Sequence, residues 1–147
     1  MRIIHNIFFI IVEQLEDNVY QYIKEGIIPE GRIKKKNEEM FKKFSELGWS
    51  GDEIRNIREI YKGNMFLDKT RGEVHIGEVI EMIMDAFEQV VNQGPLAREP
   101  CVKMKVSLVD TKLHEDAIHR GPAQVYPAVR DAMKEAMFSA QAVLFEP

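Results

Sequence analysis

Val74-His-Ile-Gly-Glu-Val-Ile-Glu-Met-Ile-Met-Asp-Ala-Phe-Glu-Gln-Val-Val-Asn-Gln93 and, beyond it, Val102-Lys-Met-Lys-Val-Ser-Leu-Val109 place two different hydrophobic periods close together. In the first, Ile76, Ile80, Ile83, Met84, Phe87, Val90 and Val91 return every three or four residues. That spacing puts them on one face of a helix, which Gly94-Pro95 ends. In the second, Val102, Met104, Val106 and Leu108 alternate with Lys103, Lys105 and Ser107, the two-residue period of a half-exposed strand. A helix and a strand with one apolar face each bury those faces against one another. The predicted fold is therefore α/β of the α+β kind. It is a two-layer sandwich in which a small, mostly antiparallel sheet is covered by helices.

Upstream, Ile3–Glu13 has apolar residues on both faces and is expected as a strand in the centre of the sheet. Glu16–Glu25 reads as a short helix with Val19, Tyr22 and Ile23 inward, stopped by Gly26. A turn follows at Pro29–Gly31. Glu38–Leu47 carries Met40, Phe41, Phe44 and Leu47 at helical spacing. Ser50 and Glu53 have the spacing of a capping box, for a helix expected to run through Ile54, Ile57 and Ile60. Asn64–Leu67 reads as a short strand. Downstream, Pro122 falls in the first turn of a helix with Val125, Val129, Ala132, Ala136, Met137 and Ala140 on one face. Val143–Phe145 is expected as a last short strand.

The chain has 147 residues, 45% hydrophobic and 30% charged, which fits one globular, soluble domain over 1–147. Its net charge of −4 excludes a general nucleic-acid binder, so any RNA contact must come from a local patch. The lone Cys101 cannot form an internal disulfide and points to a reducing, cytoplasmic setting. The apolar run Ile7–Val12 follows His5-Asn6 and stops at Glu13. It is too short for a bilayer span and lacks a cleavage site, so neither membrane nor secretion is indicated.

Leu113-His-Glu-Asp-Ala-Ile-His-Arg-Gly-Pro-Ala-Gln124 has no clean period and joins a strand to a helix. It is too polar for core and reads as an exposed loop on a rigid scaffold, where function concentrates. Arg120, with the free N–H groups of the helix opening near Pro122, would favour an anion such as a phosphate. A metal-dependent hydrolytic site is the rival reading. His114 and His119 are five apart, on different faces of any helix, unlike the paired histidines of the zinc proteases. Asp110, Glu115 and Asp116 could complete a cluster on paper. With His5 and His75 isolated in sequence, no metal and no catalytic residue are expected.

Two other stretches resemble sites without making them. Gly63-Asn-Met-Phe-Leu-Asp-Lys-Thr70 has the length of a phosphate-binding loop. Asp68 stands in place of its second glycine, where a carboxylate would repel phosphate, so the segment reads as a strand. The basic run Arg32–Lys36, with Lys42 and Lys43, is diluted by Glu30, Glu38 and Glu39 and reads as a solvated helix face.

The loop Leu113–Gln124 resembles the diphthamide loop of elongation factor 2, and its Gly121-Pro-Ala-Gln124 ending resembles the archaeal form. Gly94-Pro-Leu-Ala-Arg-Glu-Pro100, Lys24-Glu-Gly-Ile-Ile-Pro-Glu-Gly-Arg32, Gly63-Asn-Met-Phe66 and Glu146-Pro147 resemble the same domain, the fourth of that factor, so the likeness covers essentially the whole chain. The resemblance implies that His119 is the histidine converted to diphthamide, at a tip that enters the ribosomal decoding region and meets the tRNA–mRNA duplex during translocation. It implies that Lys112, His114, Asp116, Arg120, Gly121 and Gln124 contact RNA or support the loop, Gly121 giving the backbone room to turn after His119. The diphthamide biosynthesis enzymes are implied as further partners. GTP and Mg²⁺ belong to the rest of such a factor, so no cofactor and no enzymatic activity are expected of this chain. The family opens this domain with a second tip loop, Ser-Pro-Asn-Lys-His-Asn-Arg. Here His5 and Asn6 match, Ile3 and Ile4 precede them, and Ile7 replaces the arginine. The chain reads either as one domain of a longer translocase or as a shortened relative that binds RNA or ribosomes without translocating.

Overall fold

A computed structural model describes residues 5–35, 37–71, 75–93 and 103–144, the side chains of 141–144 excepted. The elements in chain order are β1 (Ile7–Gln14), α1 (Asp17–Lys24), β2 (Gly31–Arg32), α2 (Glu38–Glu46), α3 (Gly51–Arg55), β3 (Ile57–Tyr61), β4 (Asn64–Asp68), α4 (Ile76–Gln93), β5 (Met104–Lys112), a single 3₁₀ turn (Ala117–His119) and α5 (Pro122–Leu144). The strands form one sheet in the order β1-β5-β4-β3-β2. The β1–β5, β3–β4 and β2–β3 pairings are antiparallel, and β4–β5 is parallel. The molecule is thus an α+β fold on a mostly antiparallel sheet, as expected.

Strand alternation divides the core. Phe66, Met104, Val106 and Leu108 face α4 and α5, whose Ile83, Phe87, Val129 and Met137 bury against them. Met65 and Leu67 point the other way and pack with Val19, Phe44 and Ile54 of α1, α2 and α3. Helices therefore cover both faces around β3 and β4. At the β1 end the sandwich is two layers deep, and Ile7, Phe9 and Ile11 stay 43%, 40% and 49% exposed.

This last point corrects the placing of the first strand. β1 is an edge strand, and only Phe8 and Val12 of its apolar run are fully buried. Ile3 and Ile4 lie outside the described residues.

The helix expected through Ile54, Ile57 and Ile60 also ends earlier. The capping box is present: the Ser50 hydroxyl accepts from Glu53 N at 3.2 Å and the Glu53 carboxylate accepts from Ser50 N at 3.1 Å. Asn56 nevertheless closes α3, and Ile57 and Ile60 belong to β3. An irregularity in pairing between Ile57 and Glu59 adds one residue. Two side chains three apart can then share a face, which imitates helical spacing. At the other end of the chain, Val143 and Leu144 continue α5 instead of forming a strand, because they prolong the Ala136–Ala140 period. Phe145 lies outside the described residues, as do Val74, Gly94–Pro100, Cys101, Val102 and Glu146-Pro147.

Arg32 is not on a solvated helix face. It sits in β2, where its guanidinium meets Glu81 at 2.7 Å, Glu88 at 2.8 Å and Asp85. Lys36 lies outside the described residues. Gly63-to-Thr70 forms the β3–β4 turn and the buried strand β4, not a loop around an anion. No helix among the described residues is long and apolar enough to cross a membrane.

Candidate functional site

The connection between β5 and α5 is a short loop whose backbone is tied from three sides. Its 3₁₀ turn closes with His119 N donating to Asp116 O at 3.0 Å and Arg120 N to Ala117 O at 3.0 Å. Asn6, just before β1, reaches across from the sheet edge. Its Nδ2 donates to His119 O at 2.7 Å and its Oδ1 accepts from His114 N at 2.8 Å. Arg120 points inward and is 7% exposed. Its Nη1 donates to the carbonyls of His114 at 2.6 Å and Glu115 at 2.7 Å, while Nε donates to Glu78 of α4 at 2.8 Å. The Arg120 Nε bond is the largest cause that holds the Glu78 carboxyl below its usual range, with a smaller contribution from His75.

The site residues named from sequence separate by this geometry. His119 is exposed at the end of the 3₁₀ turn. His114 is 7% exposed, and its ring lies 4.4 Å from that of His119, tilted by 49°. Its Nδ1 accepts from Asp116 N at 3.1 Å, which leaves the ring proton on Nε2. Lys112 is exposed, its ammonium 5.9 Å from the Phe9 ring. Asp116 and Gln124 are exposed. The Gly121 carbonyl accepts the first helical bonds of α5, from Gln124 N and Val125 N. Gly121 does not have the left-handed φ that its proposed turning role would require. The guanidinium of Arg120, expected near an outside anion, is engaged within the loop instead.

Together His5, Asn6, His114, His119 and Gln124 line an open cavity of about 400 Å³. Ligand atoms of His114, Asp116 and His119 lie within 4.8 Å of one another, closer than the sequence spacing suggested. Coordination through His114 Nε2 would need its proton moved to Nδ1, where Asp116 N–H already donates, so the cluster suits a braced loop better than a chelate. The sequence reading missed Asn6 and Glu78 as supports. His5-Asn6, the two residues that resemble the family's opening loop, were the signal for the first. Nothing in the helical period of α4 marks the second.

Comparison with known proteins gives one consistent result. Residues 14–141 match the model of elongation factor G, domain IV. Over 97% of its length the chain is 53% identical to elongation factor 2 of Nanoarchaeum equitans, and likewise 51% identical to that of Pyrococcus furiosus. The chain spans 20% and 19% of those relatives.

Proposed function

This chain belongs to the elongation factor G, domain IV family, and we propose from that premise that it is a ribosome-contacting module of translation elongation. Its His119 loop enters the decoding region and meets the tRNA–mRNA duplex during GTP-dependent translocation. GTP and Mg²⁺ are bound elsewhere in such a factor, in the cytoplasm. His119 is the residue that the diphthamide enzymes modify and that diphtheria toxin then ADP-ribosylates. The chain itself catalyses nothing.

The observation that carries this reading is an exposed His119 on a loop braced by Asn6, His114 and Arg120. Asn6, His114 and Arg120 tie the loop, and His119 stays exposed with its ring against that of His114. A probe that must reach RNA benefits from a rigid base, because less freedom is lost on contact. A modifying enzyme needs access to the imidazole carbon between the two nitrogens, and an exposed ring offers it.

The test is co-expression with the diphthamide enzymes, followed by mass spectrometry of His119 and exposure to toxin with labelled NAD. Label is expected in the native chain, retained in His114→Gln and absent from His119→Gln. Label that survives in His119→Gln and vanishes in His114→Gln would move the site to the other ring. Stoichiometric zinc in the purified chain, lost with either histidine, would favour the hydrolytic rival.

A further inference from the structure

On the far side of the sheet from the His119 loop, a groove of about 530 Å³ runs between β2, α2, α3 and β3. Lys34, Lys35, Arg55 and Arg58 form its walls, and Ile33 and Phe41, both half-buried, contribute to an apolar floor. No carboxylate lines it among the described residues, although the whole chain carries 24 acidic against 20 basic side chains. Arg55 is paired with Asp52, and Arg58 donates to the Arg55 carbonyl. Lys34 and Lys35 are exposed and have no ion pair among the described residues, so their charges face solvent. The neighbouring strand, β2, is two residues long and, among the described residues, pairs with β3 alone.

We propose that this groove docks an acidic peptide segment carrying aliphatic anchor side chains. Lys34, Lys35 and Arg58 supply positive charge with no ion pair among the described residues, Arg55 being paired with Asp52, on a chain whose net charge is −4, which selects an anionic partner against the sign of the whole. The floor supplies apolar surface in a concave site, which selects side chains that fill it. An RNA strand would answer the walls, but the apolar lining is mainly aliphatic, Ile33, Met40, Ile54 and Ile57, and Phe41 is the one ring in it on which a base could stack. A peptide with carboxylates on both sides of one or two leucines answers both. This surface is independent of the His119 loop, which lies at the other edge of the sheet.

The experiment is fluorescence anisotropy with three labelled probes on the full chain at two salt concentrations. The probes are a peptide of two leucines among six glutamates, the same peptide with both leucines replaced by serine, and a single-stranded RNA decamer. Burial of even part of two leucine side chains gives the leucine peptide about tenfold tighter binding than its serine counterpart. The double variant Lys34→Glu/Lys35→Glu, at exposed positions, should weaken the leucine peptide by about tenfold or more and leave the thermal unfolding curve in place. The pair Lys42→Glu/Lys134→Glu changes net charge equally outside the groove and should leave binding within about twofold. Equal affinity for the two peptides, or equal loss in both double variants, would show unspecific charge attraction and overturn the proposal. So would tighter binding of the RNA decamer that disappears in the groove variant, because the surface would then be one for nucleic acid.

Discussion

Asn6 and His119 stand 113 positions apart, and a 2.7 Å hydrogen bond from the Asn6 side chain to the His119 carbonyl joins them. The same amide accepts from His114 N at 2.8 Å, so one side chain fixes both ends of the loop that presents the histidine. Asn6→Ala should therefore cost about 1–2 kcal/mol, the net worth of two hydrogen bonds with one backbone N–H left unpaired. Asn6→Asp keeps the acceptor for His114 N but loses the donor, and should fall between. Urea midpoints rank the three, and hydrogen exchange should show faster opening at His114 and nearby amides in the alanine variant.

The two histidines should respond differently to the same change. His119 is exposed, so His119→Gln should shift stability by less than about 0.5 kcal/mol. His114 is buried and its Nδ1 accepts from Asp116 N, so His114→Gln should cost about 1–2 kcal/mol through packing and the orphaned N–H. Equal losses would mean that the His119 ring also supports the loop and is not simply presented by it.

Arg120 is the inner brace. Lysine at this position keeps the charge but cannot donate to two carbonyls and Glu78 in the geometry of the planar fork. Arg120→Lys should cost about 1.5–3 kcal/mol, measured by thermal unfolding. If Arg120 were instead an outward phosphate contact, the substitution would leave the midpoint unchanged and alter only the salt dependence of RNA binding.

Sequence periodicity located α1, α2, α4, β5 and the start of α5, because each buries one face and the pattern records that face directly. It misread places where a second force determines the outcome. The Ile54, Ile57, Ile60 spacing is helical in sequence, but the chain irregularity in β3 turns an odd spacing into a shared face. The apolar run of β1 suggested two buried faces, whereas Ile7, Phe9 and Ile11 remain exposed at the sheet edge. The chemistry of the His114–His119 loop was visible as a cluster of unusual residues. Its bracing by Asn6 and Glu78 was not, since those contacts depend on the packing of remote elements.

Two glycines test where the backbone needs one. Gly63 turns the β3–β4 connection at φ +81°, and a Cβ there would lie 3.1 Å from the Tyr20 ring. Gly63→Ala should destabilise by about 1–2 kcal/mol. At Gly121 a Cβ would meet Gln124 Oε1 at 3.5 Å, an ordinary contact, and φ is not left-handed. Gly121→Ala should be within about 0.5 kcal/mol of the native chain in thermal unfolding. A loss at Gly121 as large as that at Gly63 would reinstate the turning role that the loop geometry denies it.

The pH dependence of stability should be governed above neutrality by one buried acid. Glu59 is 2% exposed, and its carboxyl is pushed up to about 9, first by burial, then by its hydrogen bond with Glu88 and the charge of that neighbour. Arg32, 3.7 Å away, opposes the shift without cancelling it, because that guanidinium is also shared with Glu81, Asp85 and Glu88. The folded chain thus keeps a proton that the unfolded chain releases near the ordinary value of 4.5. The stabilisation is complete below that value, declines as pH rises, and is lost above about 9. Glu78, Asp85 and Glu88 have lowered values and act with the opposite sign, losing their contribution as pH falls into the acid range. The two effects therefore occupy different windows. Urea midpoints measured from about pH 5 to pH 9 should fall for the native chain. Glu59→Gln keeps a donor for Glu88 at every pH, so its midpoints should stay level across that window and exceed the native ones at the alkaline end. A native profile already flat from neutral to alkaline pH would mean that Glu59 is ionised in the folded chain and that Arg32, not the proton, neutralises it.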